Sequence, residues 1–476
     1  MPRLDDVLAR LEADEKAGLD RLMDWLRIPS VATDPAHAED TRRAARWCAD
    51  RLREAGIDAT VEETGTPDKP GAPVVWAQHA GAPGYAGPHV LFYGHYDVQP
   101  PDPLDLWESP PFEPVVKPAE PGGPGERVVA RGAVDDKGQV STFLDAVRAW
   151  KEAAGGVPVR FTVLIEGEEE SGSVNLERFI ESRASDLKQC DVALISDTGM
   201  PSPTQPGITY GMRGLVYTEI FLHGADQDLH SGLWGGRAPN PNSELVKVLA
   251  QLWDDDYRVT IPGFYDDVLP LADEEREEWR RLGFDQVEAL RKIGLGPEAD
   301  VGEAGYSAIE REWARPTAEI NGISGGYTGP GAKTVIPAVA GAKVSFRLVA
   351  DQRPERIRDA FFAWLTECTP KGCRWEFVDH GGGPPGNVAR DSAHLQAARR
   401  ALAGAAGGTE PVLIKSGGSI PVVGMLKEKL GLDTILMGFG LDDDRVHSPN
   451  EKFELDCWRL GRRAHTRLIG EFAGAD

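Results

Sequence analysis

The sequence predicts an α/β fold in which a mixed, largely parallel sheet lies between helices and a smaller α+β domain is inserted. Apolar runs of strand composition alternate with stretches of helical periodicity through the first part of the chain, and this alternation is typical of parallel sheets. Several of those runs end in histidine or an acid, where open α/β sheets hold their ligand sites. Between residues 211 and 384 the predicted elements follow the order β-α-β-β-α-β, which indicates a ferredoxin-like domain.

The amino-terminal part is predicted to be helical and then to enter the sheet. Apolar residues recur every three to four positions through residues 1–56, which favours helices. Segments 59–62 and 74–77 have strand composition and lie between glycine and proline turns. Residues 100–125 are rich in proline, and a connection of that length is expected to be a functional or interfacial loop.

Four predicted strands end in side chains that can bind a cation. The runs 89–94, 128–134, 159–165 and 192–196 are followed by His95 and Asp97, by Asp135, by Glu168, Glu169 and Glu170, and by Asp197. Carboxylates held this close repel one another, so a folded protein keeps them together only where a cation or solvent takes up the charge. For the glutamate run taken alone, an exposed acidic turn is the alternative.

The inserted domain is predicted to span residues 211–384, which leaves 1–210 and 385–476 as the first domain. Its elements are expected as strands 215–222, 317–323, 339–348 and 374–378 and helices 242–253 and 354–365. The charged segment 254–315 interrupts this pattern and receives no assignment. Glycine-rich residues 380–386 close the domain, and a helix at 395–402 and a strand at 434–437 return the chain to the first domain.

Composition and charge restrict the partners and the compartment. A formal charge of −24 argues against nucleic acid or an anionic membrane surface, since either would repel the protein. No apolar run approaches the ~18 residues of a membrane span, and the first residues lack the apolar core of a signal peptide. The five cysteines are scattered and form no CxxC pair, which predicts free thiols and a cytoplasmic protein.

The residues that end the predicted strands, together with a histidine in a late acidic loop, form one candidate site. Its members are His95, Asp97, Asp135, Glu169, Glu170, Asp197 and His447. Each alone has an ordinary explanation, such as a hydrogen-bonded pair, a helix cap or a surface residue. Together, nitrogen and oxygen donors without thiolate suit zinc, manganese or cobalt, and two such ions ~3.5–4 Å apart make a hydrolytic centre.

Seven short motifs extend this pattern along almost the whole chain. They are Gly94-His-Tyr-Asp-Val98, Arg131-Gly-Ala-Val-Asp-Asp-Lys-Gly138, Glu166-Gly-Glu-Glu-Glu-Ser-Gly172, Ser196-Asp197, Asp228-Leu-His-Ser-Gly232, Gly417-Gly-Ser-Ile-Pro421 and His447-Ser-Pro-Asn-Glu451. In this order they resemble the dinuclear-metal exopeptidases that include carnosinases, cytosolic non-specific dipeptidases and, more distantly, acetylornithine deacetylase and a glutamate-releasing carboxypeptidase. The Asp-Leu-His-Ser-Gly and Gly-Gly-Ser-Ile-Pro motifs indicate the dipeptidase branch.

The resemblance implies two divalent metal ions per subunit, with zinc expected first and manganese or cobalt as alternatives. Asp135 would bridge the ions. His95 and Asp197 would complete one, and Glu170 and His447 the other. Asp97 would orient the His95 ring through its other nitrogen. Counting back from Ser171-Gly172 makes Glu169 the general base that moves a proton from water to the leaving amine, with Glu168 as the spare acid.

The resemblance also implies that the inserted domain is a lid and a homodimerisation module. His230 would reach into the neighbouring subunit's site and support the oxyanion. Arg347, with Thr334 and Ser419, would hold the substrate's terminal carboxylate, and His447 would contact the substrate as well as a metal.

The sequence therefore predicts a cytoplasmic homodimeric metallopeptidase that acts on dipeptides or short peptides with a free carboxylate. An amidohydrolase of the same fold that acts on N-acyl amino acids, of the deacetylase or desuccinylase type, is the alternative, since it needs the same metals. A non-catalytic metal-binding or scaffold protein is a further alternative, but it predicts lost ligands or a lost base, and every one of these residues is present.

Overall fold

The computed structural model describes residues 3–119 and 125–474. It divides into two compact units, one made of residues 1–210, 388–414 and 425–476 and the other of residues 211–387 and 415–424. The α-helices are α1 Leu4–Ala13, α2 Glu15–Leu26, α3 Ala38–Glu54, α4 Lys137–Ala154, α5 Leu176–Ser182, α6 Ala184–Leu187, α7 Ser231–Trp234, α8 Pro241–Leu249, α9 Asp273–Arg281, α10 Gln286–Lys292, α11 Ala308–Ala314, α12 Pro354–Glu367, α13 Ala393–Ala405, α14 Pro421–Leu430 and α15 Leu455–Ala473. The strands are β1 Asp58–Glu62, β2 Gly65–Thr66, β3 Lys69–Pro70, β4 Val74–Ala80, β5 Val90–His95, β6 Val115–Pro118, β7 Glu126–Val129, β8 Arg160–Glu166, β9 Val192–Ile195, β10 Gly207–Met212, β11 Gly214–His223, β12 Leu229–His230, β13 Thr317–Gly325, β14 Val335–Ile336, β15 Val339–Leu348, β16 Arg374–Gly383, β17 Gly386–Asn387, β18 Val412–Ser416, β19 Thr434–Leu436 and β20 Lys452–Glu454.

The first unit is built on a mixed sheet with the order β1-β4-β8-β5-β9-β19-β10, and β18 also pairs with β10. Strands β8, β5, β9 and β19 run parallel, whereas β1, β4 and β10 join antiparallel. Every residue of β5 and of β9 is buried, because strands at the centre of such a sheet are covered on both faces. The predicted fold class is confirmed.

Helix α4 forms the centre of the first unit's core. Its Phe143 stacks on Phe92 of β5, with ring centroids 3.7 Å apart. Trp150 in its last turns is fully buried and donates its indole N–H to the carbonyl oxygen of Thr466 in α15 at 3.0 Å. The start of α4, which follows Asp135, is therefore fixed between the sheet and a second buried helix.

Two predictions for the first 135 residues need correction. The amino-terminal helical region is interrupted, since residues 27–37 lie outside α2 and α3. The proline-rich connection is not structureless, because β6 and β7 pair within and just after it and form a separate three-stranded sheet with β20. The predicted strand before Asp135 thus ends at Val129 and belongs to this small sheet, since the backbone after it turns to bond a carboxylate described below.

The second unit has the β-α-β-β-α-β order expected for a ferredoxin-like domain. Its sheet has the order β13-β15-β11-β16 with antiparallel neighbours. Helices α8 and α12 supply Leu245, Phe361 and Leu365 to a core shared with Val344 and Phe346 of β15. Alternate residues of β11 are buried, which is the pattern of a sheet covered on one face.

The segment 254–315, left unassigned by the sequence, is a folded part of the second unit. It contains α9, α10 and α11. A buried bidentate ion pair holds the last residue of the segment, because Arg315 donates to both carboxylate oxygens of Glu303 at 2.7 Å. The Tyr306 ring lies against the Arg315 guanidinium, with its centroid 4.4 Å away.

The structure also corrects the assignment of residues 415–424, which belong to the second unit and not to the first. Three contacts explain this placement. Arg213 donates from Nε to the carbonyl oxygen of Gly417 at 3.0 Å, and Ser419 Oγ donates to the carbonyl oxygen of Arg213 at 2.6 Å. Lys415 forms an ion pair with Glu275 of α9 at 3.2 Å.

Two global features concern the cysteines and membrane spans. All five cysteines are free thiols, and Cys48, Cys190 and Cys457 are buried. None of the helices in the described residues is long and apolar enough to cross a bilayer.

Candidate metal centre

The candidate ligands converge at the carboxyl-end edge of the first unit's parallel strands. His95 is the last residue of β5, Glu169 and Glu170 follow β8, and Asp197 follows β9. Asp135 lies two residues before the start of α4. The carboxyl ends of parallel strands meet at one edge of a sheet, so these side chains come together although they are far apart in sequence.

His95 is fixed by one ring nitrogen and directs the other towards two carboxylates. Its Nδ1 lies 3.1 Å from the carbonyl oxygen of Asp97 and 3.4 Å from Oδ1 of the same residue. Its Nε2 lies 3.1 Å from Asp135 Oδ1 and 3.7 Å from Asp197 Oδ2. This is the arrangement of a metal-binding histidine whose second nitrogen is held by a carboxylate.

Asp97 also positions the acidic turn. Its two carboxylate oxygens accept the backbone N–H groups of Glu169 and Glu170 at 3.3 and 3.0 Å. One buried carboxylate therefore fixes both His95 and the turn that carries Glu169.

Asp135 is shared by two groups of potential ligands. Its Oδ1 faces His95, and its Oδ2 lies 3.0 Å from His447 Nε2. The same nitrogen of His447 lies 3.2 Å from Glu170 Oε2. Two clusters result, one of His95, Asp135 and Asp197 and one of Asp135, Glu170 and His447, and within each cluster the donor atoms lie within 4.8 Å of one another.

The electrostatics of the cluster reflect buried like charges. Burial, followed by repulsion from Asp135, raises the pKa of Asp197 to about 8. Burial alone would raise the pKa of Asp135, but hydrogen bonds to His447 and His95 hold it below its usual range. Burial alone would lower the pKa of His95, but hydrogen bonds to Asp135 and Asp97 hold it well above its usual value. Hydrogen bonds to Asp135 and Glu170 raise the pKa of His447 to about 10.

The donor set fits two divalent cations. It offers imidazole nitrogens and carboxylate oxygens without thiolate, the ligands of zinc, manganese and cobalt. A raised carboxyl pKa beside a second carboxylate is the signature of negative charge that lacks compensation. Ions held by His95 with Asp197 and by Glu170 with His447, both sharing Asp135, would supply that compensation.

The three consecutive glutamates have different environments in the structure. Glu168 is engaged by the backbone: its Oε1 accepts Ala72 N–H at 2.9 Å and its Oε2 accepts Asn175 N–H at 3.1 Å. Glu170 lies in the second ligand cluster. Glu169 belongs to neither cluster, and burial followed by repulsion from Glu170 raises its pKa although His95 opposes this. Glu169 is therefore the glutamate of this run that neither accepts these backbone bonds nor belongs to a ligand cluster.

Sequence reasoning did not assign a role to Glu451, which holds the Asp135 loop. Its fully buried carboxylate accepts Arg131 Nη1 at 2.8 Å and the backbone N–H groups of Gly132, Val134 and Asp135 at 2.9, 2.9 and 3.0 Å. The signal was present, because Arg131 and Glu451 stand at the ends of two motifs that carry ligands.

Two further positioning residues also lie within or beside the motifs. Gln99 donates from Nε2 to Glu170 Oε2 at 2.8 Å. Lys137 is fully buried and donates to the carbonyl oxygen of Ile28 at 2.7 Å, and burial lowers its pKa to about 7. A lysine in a helix start gives no sequence signal for such burial, since lysine there is normally exposed.

The remaining predicted site residues lie in the second unit and fall into two groups. Arg347 on β15 donates from Nη1 to Ser419 Oγ at 2.9 Å. His230 and Thr334 instead lie at the antiparallel ribbon of β12 and β14, where Ser231 N–H donates to the carbonyl oxygen of Thr334 at 3.1 Å. His230 and Thr334 are both exposed. Among the described contacts, none joins Thr334 to Arg347 or Ser419.

The mixed α/β fold and the two ligand clusters at its strand ends define a metal-dependent hydrolase. Residues 91–471 match the peptidase family M20/M25/M40. The chain belongs to this family and is a metallopeptidase.

Relatives of known activity cover nearly the whole chain. It is 32% identical over 466 residues to the Cys-Gly metallodipeptidase DUG1 of Candida albicans, covering 94% of each chain. It is 31% identical over 461 residues to the human Beta-Ala-His dipeptidase, covering 94% of this chain and 89% of the other. The solved structure of the M20 family metallo-carboxypeptidase Sso-CP2 from Sulfolobus solfataricus superposes with a TM-score of 0.77 at 32% identity, covering 96% of this chain and 99% of that one.

Proposed function

We propose that this protein is a dinuclear metallo-dipeptidase that hydrolyses dipeptides and short peptides with a free carboxyl terminus. The observation that carries the proposal is the pair of ligand clusters that share Asp135, with Glu169 beside them on a turn fixed by Asp97. The dipeptidase activity named for two relatives with near-complete coverage supports this substrate class over the N-acyl amino acids of the alternative.

The proposed ligands are His95 and Asp197 for one cation, Glu170 and His447 for the other, and Asp135 for both. Bound divalent cations supply Lewis acidity that polarises the scissile carbonyl and lowers the pKa of water. Zinc is the proposed ion, and manganese and cobalt suit the same donors.

Glu169 is proposed to accept a proton from the attacking water and to give it to the leaving amine. A general base works best when its pKa lies near the working pH. Burial and the neighbouring carboxylates raise the pKa of Glu169 towards that range, and nearby cations would keep the group ionised until the water is deprotonated.

The free carboxylate of the peptide is proposed to bind Arg347 and Ser419. Arg347 uses one N–H group on Ser419 Oγ, and the rest of its guanidinium presents a planar fork suited to a carboxylate. This requirement for a free terminus excludes long internal segments of proteins as substrates.

His230 is proposed to support the oxyanion in the site of a second subunit of a homodimer formed through the second unit. Gly232 N–H donates to His230 Nδ1 at 3.0 Å, so the neutral ring carries its own proton on Nε2. The ring is exposed and can donate this proton to an oxygen outside its own unit. Thr334 shares the ribbon and is proposed to act with it on the substrate.

A cytoplasmic location remains a prediction that rests on the scattered free thiols. It implies that the dipeptides come from intracellular peptide breakdown.

The activity is tested with a dipeptide panel and a matched panel of N-acetyl and N-succinyl amino acids. The metal-free protein is reconstituted in turn with zinc, manganese and cobalt, and kcat/KM is measured for each substrate. The proposal expects dipeptides to be hydrolysed faster than either acyl series with at least one metal. Faster hydrolysis of the acyl amino acids would establish the alternative.

The shared site is tested by mixing two inactive variants, Glu169→Gln and His230→Ala. If His230 serves the neighbouring subunit, each mixed dimer contains one complete site, and random exchange of subunits restores about a quarter of the wild-type activity. If His230 serves its own subunit, every site keeps one defect and no activity returns.

A further inference from the structure

The second unit contains a cavity beside Arg347. Its volume is about 640 Å³, and its lining includes Arg213, Arg347, Tyr257, Phe284 and Glu312. Arg347 comes from β15, Arg213 from the connection between β10 and β11, and Tyr257 and Phe284 from the 254–315 segment. A cavity of this size suits a small molecule or one amino-acid residue.

Arg213 lies in this cavity as a partly buried cation without an ionic partner. Its Nε donates to the carbonyl oxygen of Gly417. Within the residues that the structure describes, no carboxylate lies within the 4.0 Å ion-pair distance of Arg213 or of Arg347. Burial lowers the pKa of Arg213 to about 10; Glu312 and Glu319 oppose this effect, and Arg347 adds to it. Buried charges are normally paired, so this environment favours an anion.

Arg213 and Arg347 are tied to the same short loop. Ser419 Oγ donates to the carbonyl oxygen of Arg213 at 2.6 Å and accepts from Arg347 Nη1 at 2.9 Å. Gly417 is close to the same guanidinium, because a Cβ there would lie 2.9 Å from Arg213 Nη2 and 2.7 Å from Glu312 Cγ and would displace these side chains. The loop thus fixes two guanidinium groups at one cavity.

We propose that this cavity binds the carboxy-terminal residue of the peptide substrate, with Arg213 joining Arg347 on the carboxylate and the 254–315 segment forming the wall for the side chain. The proposal rests on the peptidase activity proposed above and adds a substrate-binding residue and a role for the inserted segment. Two guanidinium groups offer more N–H donors than one carboxylate can accept, so they hold it firmly and fix its direction.

The side-chain wall is aromatic and its rim is acidic. Trp253, Tyr257 and Phe284 line the cavity, and Tyr257 and Phe284 are each 50% exposed. Glu312 and Glu319 line it too and are exposed. The cavity therefore favours a large or basic carboxy-terminal residue and disfavours aspartate or glutamate there, because these would face the two acids.

The role of Arg213 is tested with a dipeptide and its carboxy-terminal amide. Wild type, Arg213→Gln and Arg213→Lys are compared by kcat/KM on both substrates, and melting temperature and metal content verify that each variant is folded and loaded. A lost hydrogen bond to a charged group predicts a fall of about 10- to 100-fold on the acid. For the amide, which lacks the charged carboxylate, kcat/KM should change by less than about two-fold. Equal losses on acid and amide would mean that Arg213 only supports the loop, and would overturn the proposal.

The exposed Arg374, which lies on β16 and not among the residues lining the cavity, provides the matched control as Arg374→Gln. The wall is tested with a dipeptide series that ends in glycine, phenylalanine, lysine or glutamate. Phe284→Ala should reduce kcat/KM for the phenylalanine peptide more than for the glycine peptide. Glu312→Gln should raise kcat/KM for the glutamate peptide. An unchanged order of preference in both variants would refute the placement of the side chain.

Binding measurements separate this proposal from the proposed activity. In the Glu169→Gln background, calorimetry with the same dipeptide and its amide reports affinity without turnover. If wild type hydrolyses no dipeptide, the activity is refuted, yet a preference for the acid that disappears in Arg213→Gln would still support the carboxylate site. Equal affinity for acid and amide before and after the change would overturn it.

Discussion

The two ligand clusters share Asp135 but differ in how firmly their other members are held. In the first, His95 is completely buried, and its second nitrogen is fixed by Asp97. In the second, the His447 side chain is 53% exposed and lies on a loop with a backbone φ of +61°. A positive φ is uncommon for a residue other than glycine, and it persists where the surrounding structure imposes it.

Ion pairs hold the conformation of the loop that carries His447. Lys452 donates from Nζ to Asp444, Glu454 and Asp443 at 2.8, 3.0 and 3.1 Å. Buried Asp444 in turn accepts Leu441 N–H at 2.7 Å. One ligand cluster is therefore part of the core, whereas the other is completed by a surface loop that an ion-pair network holds in place.

Replacing Asp135, which both clusters share, should have the largest effect. Asp135→Asn should abolish activity and reduce the metal content towards zero, because both clusters lose a charged donor and carboxylate ligands must be ionised. His447→Ala should leave about one ion per subunit, since only the exposed cluster is altered. Elemental analysis of the purified variants measures both, and retention of two ions by Asp135→Asn would contradict the bridging position.

Glu169→Gln tests the proposed base independently of both clusters. Turnover should fall by about 10²- to 10⁴-fold, the usual contribution of a general base. Both metals should remain, since Glu169 lies outside the clusters. Rate assays paired with metal analysis measure this, and Glu168→Gln is the matched control because its carboxylate bonds the backbone away from the clusters. Full activity in Glu169→Gln would rule out its role.

Glu451→Gln should weaken both clusters together. Removing one partner of a buried ion pair costs about 3–5 kcal/mol, and Glu451 also fixes the N–H groups around Asp135. The free energy of unfolding, measured by denaturant titration, should fall by that order. The metal content should drop in both sites equally, and selective loss of one ion would show that the loop is not shared.

The metal-free protein should be less stable at alkaline pH. An ordinary aspartate titrates near pH 3.9, whereas burial and repulsion from Asp135 raise the pKa of Asp197 to about 8. Burial likewise raises the pKa of Glu166 to about 8. Between about pH 4 and pH 8 the folded state therefore binds more protons than the unfolded chain, and the free energy of unfolding falls as pH rises.

Bound cations would remove this penalty by compensating the carboxylates. The increase in melting temperature on adding metal should accordingly be larger at about pH 8 than at about pH 5.5, where protons also compete for the ligands. Thermal scans at both values measure it, and an increase that is larger at the acidic value would contradict the uncompensated charge.

The smallest expected effect is a difference in metal exchange. With both sites filled, a limiting amount of chelator should remove the ion of the exposed cluster first, since its histidine lies on a loop with access to solvent. A cobalt-substituted protein allows the order to be followed spectroscopically. Simultaneous loss of both ions would mean that the clusters do not differ in accessibility.

Much of this fold was predictable because the patterns that specify it are local. The apolar runs that end at His95 and Asp197 identified central strands, since complete burial on both faces requires continuous apolar sequence. The alternation in β11 identified the second sheet in the same way. The candidate site used the same pattern for His95, Glu170 and Asp197, since the ends of parallel strands meet at one edge, whereas the division of ligands between two ions came from the family resemblance.

What the sequence could not predict depends on contacts between distant residues. Residues 415–424 join the second unit through Arg213 and Lys415, and neither contact leaves a periodic signal. Glu451 and Lys137 are completely buried, and residues of these types are rarely fully buried, so the sequence gives no signal for it. The 254–315 segment is held by Arg315 and Glu303, a pairing that spacing alone does not reveal.

The bond between Asp135 and Glu451 joins residues 316 positions apart, and this separation has a consequence for biosynthesis. A chain emerging from the ribosome has made His95, Asp135 and Asp197 long before Glu451 leaves the exit tunnel. Until then the loop of Asp135 lacks its anchor, and newly made protein holds its acids without the partner that orders them.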